Sequence, residues 1–366
     1  MLRRYLILLK NFDWVLFGAV FLLITFGLAA LYSIAISSET PDFANFRKQI
    51  IFALIGLILL LLISLLNYRI WQHYSLLIYL AISFLLLLVI FFGKTIRGTT
   101  GWFSLLGVNF QVVELAKISL ILMLAWFLHH YANRLAQLRI FLISAAICLV
   151  YFLLVIFQPD LGSAIILFLI WFWLIFFGGA KKKHLLVLGL ILIIIATLAW
   201  FFLFADYQRG RILTFINPAS DPYGRGYHVR QAIIAVGAGG FLGRGLGFGS
   251  QSQLKFIPAS QTDFIFAVIA EELGFLGVSL VIGFWALILY RLAKAIMLMK
   301  DDFALFFTLG VSALFFSQLM INIGMNIGLL PVTGISLPFL SYGGSFLIVS
   351  LVLIGIVESM IIRNRS

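Results

Sequence analysis

The chain has 366 residues, of which 63% are hydrophobic and only 10% charged, with a mean hydropathy of +1.16; a soluble protein of this size carries far more charge, so that class is excluded. The net charge of +12 then bears on membrane orientation and anionic lipid rather than on nucleic acid. A single cysteine, Cys148, excludes a disulfide within the chain and reads as a buried spectator thiol.

The N-terminal stretch, Met1 to Asn11, sets Arg3, Arg4 and Lys10 ahead of the first apolar run, as a signal peptide does. No small-residue cleavage site follows and the run is too long, so an uncleaved first span is expected. Ten apolar runs occur, at about 13–36, 47–66, 72–92, 112–130, 138–157, 161–178, 184–204, 263–290, 303–327 and 340–362. Each approaches the roughly 20 residues that cross a bilayer. The expected fold is an all-α polytopic membrane protein of about ten transmembrane helices. It forms one domain over residues 1–366, with a long extracytoplasmic loop, 205–262, between helices seven and eight.

Lys and Arg in short loops set the orientation. With the N-terminus cytoplasmic, the inner segments hold 14 of them, from Arg3 to Arg365, and the short outer loops hold 4: Arg47, Lys48, Lys94 and Arg97. An even span count puts both termini inside.

Between the third and fourth spans, Lys94 to Asn109 contains Arg97, several glycines and Trp102. Irregular backbone at membrane depth is tolerated only inside protein or along a wet cavity, so this stretch is expected to dip back into the protein. Trp102 reads equally as an interfacial aromatic. Glu114 and Lys117 lie three apart and share a helix face; they read as a site or as a self-neutralising pair that lets the helix insert. Asp160, in Gln158-Pro159-Asp160-Leu161-Gly162, reads as a site residue or a plain N-cap. The five histidines show no zinc spacing.

The loop 205–262 carries six positive charges, Arg209 and Arg211 among them, and turn chemistry in Asn217-Pro218-Ala219-Ser220-Asp221-Pro222. Gly226 to Ala232 is expected to form a short helix. A glycine-dense tract from Gly237 to Gly249 follows. Its Gly243-Arg244-Gly245-Leu246-Gly247 superficially suggests a phosphate-binding loop, but no strand precedes it and no Lys-Ser/Thr ends it. A loop folded tightly against the membrane explains the glycines as well. Then Asp263 stands where polar loop becomes apolar helix, and Glu271 and Glu272 interrupt the same helix, in a chain with only 13 acidic residues. Asp263 reads as an N-terminal helix charge with Thr262 as cap, or as a base, a cation site or a proton relay. Helical spacing sets 263, 267 and 271 on one face, so Asp263 and Glu271 are candidates to share a cavity.

Several long motifs then add up. Gln251-Ser252-Gln253, Phe256-Ile257-Pro258 and Thr262-Asp263-Phe264-Ile265-Phe266-Ala267-Val268-Ile269-Ala270-Glu271-Glu272-Leu273-Gly274 closely resemble the signature of the SEDS family of RodA and FtsW proteins. So do Gln158 to Gly162, Arg97-Gly98 with Trp102, Glu114 with Lys117, and three C-terminal runs: Asn322-Ile323-Gly324-Met325, Gly328 to Gly334 and Leu337 to Ser345. The resemblance covers the chain end to end, and Asn-Ile-Gly-Met and the short termini look more like the elongation branch, RodA. The chain departs from the family's usual Glu and His at Ala259 and Gln261, its usual Arg at Gly101, and its Gln-Pro-Ser-Glu at Gln111-Val112-Val113-Glu114.

The resemblance implies a peptidoglycan glycosyltransferase of the bacterial inner membrane that polymerises lipid II at the outer face during elongation. It implies Asp263 as general base in an inverting transfer. Substrate-binding candidates are Arg97, Trp102, Glu114, Lys117, Asp160, Arg209, Arg211, Gln251 and Ser341, with Mg²⁺ or Mn²⁺ held at Asp263 as a further candidate. Expected partners are lipid II, membrane lipids and a class B penicillin-binding transpeptidase. The other readings are a lipid II flippase or proton-coupled carrier using Glu114, Asp160 and Asp263 as a relay, and a membrane scaffold.

Overall fold

The computed structural model describes residues 10–36, 42–96, 98–105, 108–134, 136–203, 209–210, 213, 215 and 225–365. Helices α1 (Trp14–Ile36), α2 (Ala44–Leu65) and α3 (Arg69–Phe92) are followed by strands β1 (Lys94–Ile96), β2 (Thr99–Leu105) and β3 (Val108–Gln111). Then come α4 (Val112–His130), α5 (Leu138–Ile156), α6 (Leu161–Phe177) and α7 (Lys182–Leu198). Helices α8 (Arg225–Ala238) and α9 (Ser250–Gln253) belong to the long loop, and α10 (Ile265–Leu298), α11 (Asp302–Asn326) and α12 (Gly344–Asn364) complete the chain.

Among the described residues, nine helices are long and apolar enough to cross a bilayer, and α6 is a shorter apolar helix of 17 residues. All ten coincide with the runs expected from sequence. Helices α4, α11 and α12 form the enclosed centre of the bundle, whereas α3 and α5 show much of their surface and α7 nearly all of it. Such helices meet lipid, where the surrounding solvent is as apolar as the side chains, so close packing rather than hydrophobicity joins helix to helix. The contact of α2 with α12 follows that rule: a Cβ at Gly355 would meet the Leu60 carbonyl at 2.9 Å.

The stretch expected to dip back does reach into the protein, with Ile96, Thr99, Trp102 and Asn109 on a cavity wall, but its backbone is regular. It is a three-stranded antiparallel sheet in the order β1-β2-β3, in which Ile96 pairs with Thr99 and Phe103 with Phe110. Thr, Ile, Trp and Phe are strand formers, and Gly98, at φ +84, sits at the hairpin turn. The Thr100 N–H donates to the Gln158 carbonyl at 3.3 Å, which ties the sheet to the α5–α6 junction. At Gly101 a Cβ would stand 2.9 Å from Gln158 Oε1.

The expected short helix after Gly226 is α8. The glycine tract behind it is a docking strip on α10. Helix α10 kinks at Gly274, which adopts φ +63 and ψ −162, a region open essentially to glycine alone. Arg244 N–H then donates to the Glu271 carbonyl and Gly245 N–H to the Glu272 carbonyl, while Phe275 and Leu276 N–H groups donate to Gly240 and Phe241. A Cβ at Gly274 would stand 2.2 Å from Gly243 N, and one at Gly239 would stand 1.9 Å from the Ala270 carbonyl.

Glu271 and Glu272 serve the same junction. Glu271 is fully buried and accepts the Gln251 and Ser252 N–H groups at 2.7 and 2.9 Å; Glu272 accepts from Ser33 Oγ and Gln253 Nε2. The expected cavity shared by Asp263 and Glu271 is therefore not formed. Residue 263 precedes the first helical residue, Ile265, so helical spacing does not relate the two. Gly274→Ala should lower stability by about 3 kcal/mol, combining left-handed strain with the clash. Thermal melting of the purified protein in detergent checks this; an unchanged melting temperature would mean that the strip does not dock on α10.

Candidate functional site

A cavity of ≈ 860 Å³ opens where the sheet, the α5–α6 junction, the segment before α10 and the segment 331–346 meet. That volume is within the roughly 300–1,000 Å³ range of ligand sites. Its wall brings together Trp102, Glu114, Lys117, Asp160 and Asp263, residues separated by up to 161 positions in sequence.

Asp263 is held by its backbone. Three successive carbonyls before α10 accept bonds from other elements: Gln261 from Tyr342 N–H at 2.8 Å, Thr262 from Ser341 Oγ at 2.6 Å, and Asp263 from both Asn322 and Asn326 Nδ2 at 3.0 Å. The carboxylate faces Gly334, where an added Cβ would be 3.8 Å from Oδ2. Thr262 is not the helix cap, since its Oγ1 donates back to the Ala259 carbonyl at 3.3 Å and the N-cap residue is Phe264.

Asp160 is both N-cap and cavity wall. Its Oδ1 accepts from Ser163 N–H at 2.9 Å, and its Oδ2 accepts from Ser163 Oγ at 2.8 Å and Gln111 Nε2 at 3.2 Å. Gly162 lets the start of α6 reach the far wall, because a Cβ there would stand 2.5 Å from the Thr333 carbonyl. Glu114 and Lys117 form a 2.7 Å ion pair on the first turns of α4, with side chains only 6% and 5% exposed. Lys117 Nζ also lies 5.5 Å from the centre of the Phe346 ring, a cation–π distance. The Trp102 indole N–H donates to Thr99 Oγ1 at 3.2 Å. Burial holds the Tyr342 phenol above its ordinary pKa, so at neutral pH it remains a hydrogen-bond donor.

Three sequence candidates lie off the cavity wall. Ser341 is 1% exposed, with its hydroxyl donating to Thr262 and accepting from Leu337 N–H; it positions the turn before Asp263. Gln251 sits in α9, with its N–H on Glu271. The Arg209 guanidinium donates to the Trp200 and Phe201 carbonyls at the end of the α7 run. Arg97 and Arg211 lie outside the described residues. Among the described residues no group of three or more His, Cys, Asp or Glu is placed to hold a metal ion.

Sequence reasoning missed Lys48, which lines the cavity from the first turns of α2, having counted it only as a loop charge. It also assigned no role to Gln318, Asn322 and Asn326, polar residues four apart inside the apolar helix α11. Polar groups within a span carry that signal.

A family described as cell cycle protein, comprising FtsW, RodA and SpoVE, matches residues 13–366. The chain belongs to the FtsW/RodA/SpoVE family. It is 34% identical over 355 residues to the probable peptidoglycan glycosyltransferase FtsW of Trichlorobacter lovleyi, covering 95% of this chain and 92% of that one. It is 35% identical over 327 residues to the peptidoglycan glycosyltransferase MrdB of Escherichia coli K12, covering 88% and 87%. Among solved structures, one described as structural coordination of polymerization and crosslinking by a peptidoglycan synthase complex superposes with a TM-score of 0.83 at 31% identity, over 97% of this chain and 98% of that one. Thermus thermophilus rod shape determining protein RodA superposes with a TM-score of 0.71 at 29% identity, covering 97% of each. FtsW and RodA members both match, so membership of this family does not select one branch.

Proposed function

We propose that this chain, a peptidoglycan glycosyltransferase of that family, polymerises lipid II with Asp263 as general base. The observation that carries the reading is a carboxylate fixed through its own carbonyl on the wall of a cavity that also presents Lys48, Lys117 and Asp160. The Asp263 carboxylate takes the proton of the acceptor GlcNAc 4-hydroxyl. That oxygen attacks C1 of the donor MurNAc, the C1–O bond to undecaprenyl diphosphate breaks, and the configuration inverts. Base assistance of this kind supplies about 10²–10⁴-fold. Lys48 and Lys117 are the candidate partners of the leaving diphosphate, whose charge is best met by groups already in place.

A Mg²⁺ or Mn²⁺ ion fits the same corner, because Mg²⁺ needs only one or two carboxylates when substrate phosphates complete its shell. Asp263 would hold it, and when bound it would neutralise charge on the diphosphate. Asn322-Ile323-Gly324-Met325 favours the elongation role, and the expected partner is a class B penicillin-binding transpeptidase.

The reading requires the cavity end of the bundle to face outward from the cytoplasmic membrane, with both termini inside. The charge asymmetry of the loops supports that orientation. In a variant with Cys148 replaced by Ala, a cysteine at Phe248, which is 77% exposed on the docking strip, should react with impermeant maleimide in intact spheroplasts. One at Ala180, between α6 and α7, should not. Labelling at 180 alone would put the cavity on the wrong side for this function. The catalytic part of the proposal is tested by glycan synthesis from purified lipid II, comparing the wild-type chain with Asp263→Asn.

A further inference from the structure

Helix α11 presents three carboxamides four residues apart, at Gln318, Asn322 and Asn326, so all three share one face. Two of them are committed to the protein. Asn322 Nδ2 donates to the Ile335 carbonyl at 2.7 Å as well as to Asp263, and Asn326 Oδ1 accepts the Ala267 N–H at 3.2 Å. Gln318 is as enclosed as they are, at 1% exposure, and it lines the cavity. Yet its Oε1 has no hydrogen-bond partner in the protein. On the wall of the same cavity Thr333 has its Oγ1 unpartnered too. Buried polar groups are paired in nearly all native structures, and one left unpaired on a cavity wall is unfavourable until a ligand meets it.

We propose that Gln318 and Thr333 form a subsite for the 2-acetamido group of an amino sugar in the lipid-linked substrate. The inference rests on the polymerase reading above and deepens it. The group must be neutral, because a carboxamide and a hydroxyl carry no charge to offer a diphosphate. It must also present both a donor and an acceptor. An acetamido N–H meets Gln318 Oε1, its carbonyl accepts from Thr333 Oγ1, and Ile335 supplies apolar wall for the methyl. A site built to pair with a polar substituent rejects analogues that lack it, because its own groups are then left unpaired.

The test uses the purified full-length protein and three ligands: lipid II, an analogue with hydroxyls in place of both 2-acetamido groups, and undecaprenyl diphosphate. Wild type should bind lipid II about 10-fold more tightly than the hydroxyl analogue, the loss expected for one to two neutral hydrogen bonds. Gln318→Leu should reduce that preference to about 2-fold or less and leave undecaprenyl diphosphate binding unchanged. Thr333→Val, close in shape, should act in the same direction and carries the test if Gln318→Leu does not fold. Retained preference in the variants, or equal weakening of undecaprenyl diphosphate, overturns the subsite. Glycan synthesis by wild type is scored in parallel: its absence, with the preference intact, sinks the polymerase reading and leaves the subsite standing.

Discussion

Asp263→Asn should yield a folded membrane protein that binds lipid II and makes almost no glycan. The substitution keeps the side chain's shape but removes its ability to accept a proton, so turnover should fall by 10² or more. Stability should change little. What anchors the residue is its main-chain carbonyl, bonded to Asn322 and Asn326, and the side chain caps no helix. A merely electrostatic role at the start of α10 would be worth about 1 kcal/mol or less, and losing it would not abolish turnover. Asp263→Glu should be nearly as inactive, because one added methylene moves the carboxylate off a position fixed by hydrogen bonds to three successive carbonyls.

Lys117→Met should be the most destabilising of the cavity substitutions. It leaves Glu114, 5% exposed, as a buried charge without its 2.7 Å partner. Breaking a buried pair from one side costs about 3–5 kcal/mol, whereas replacing both partners costs far less. Glu114→Gln with Lys117→Met should therefore recover most of the melting temperature lost by Lys117→Met alone. The same double variant should remain poorly active, since the cavity has lost one of its cations. Melting and glycan synthesis measured on the three proteins separate the two roles; a double variant with wild-type activity would make the pair a purely structural insertion device.

The helical frame was legible because the length of an apolar run is a one-dimensional signal, and each run was bounded by charge or by Pro and Gly. The acidic candidates were legible because ionisable groups at the edges of such runs are costly and stand out. What sequence did not resolve was direction. Asp263, Glu271 and Glu272 look alike as carboxylates beside a membrane boundary. Only the fold shows that Asp263 meets the cavity while the two glutamates bind the backbone and side chains of a docked loop. Ser341 and Gln251 stand in equally distinctive motifs, yet the Ser341 hydroxyl and the Gln251 N–H are used within the protein. The sheet between α3 and α4 was hidden by its short strands and its glycines, which fit a re-entrant loop as well. Gln318 was hidden because the four-residue spacing of the amides on α11 marks a face without saying what that face meets.

The most direct measurement is the product formed when the purified wild-type chain is given lipid II, alone and with a class B penicillin-binding transpeptidase, with glycan length read by gel or mass spectrometry. Glycan strands made by wild type and missing with Asp263→Asn are the expected result. Lipid II carried between leaflets without polymer, or an Asp263→Asn protein working above a tenth of the wild-type rate, would contradict it and favour a flippase.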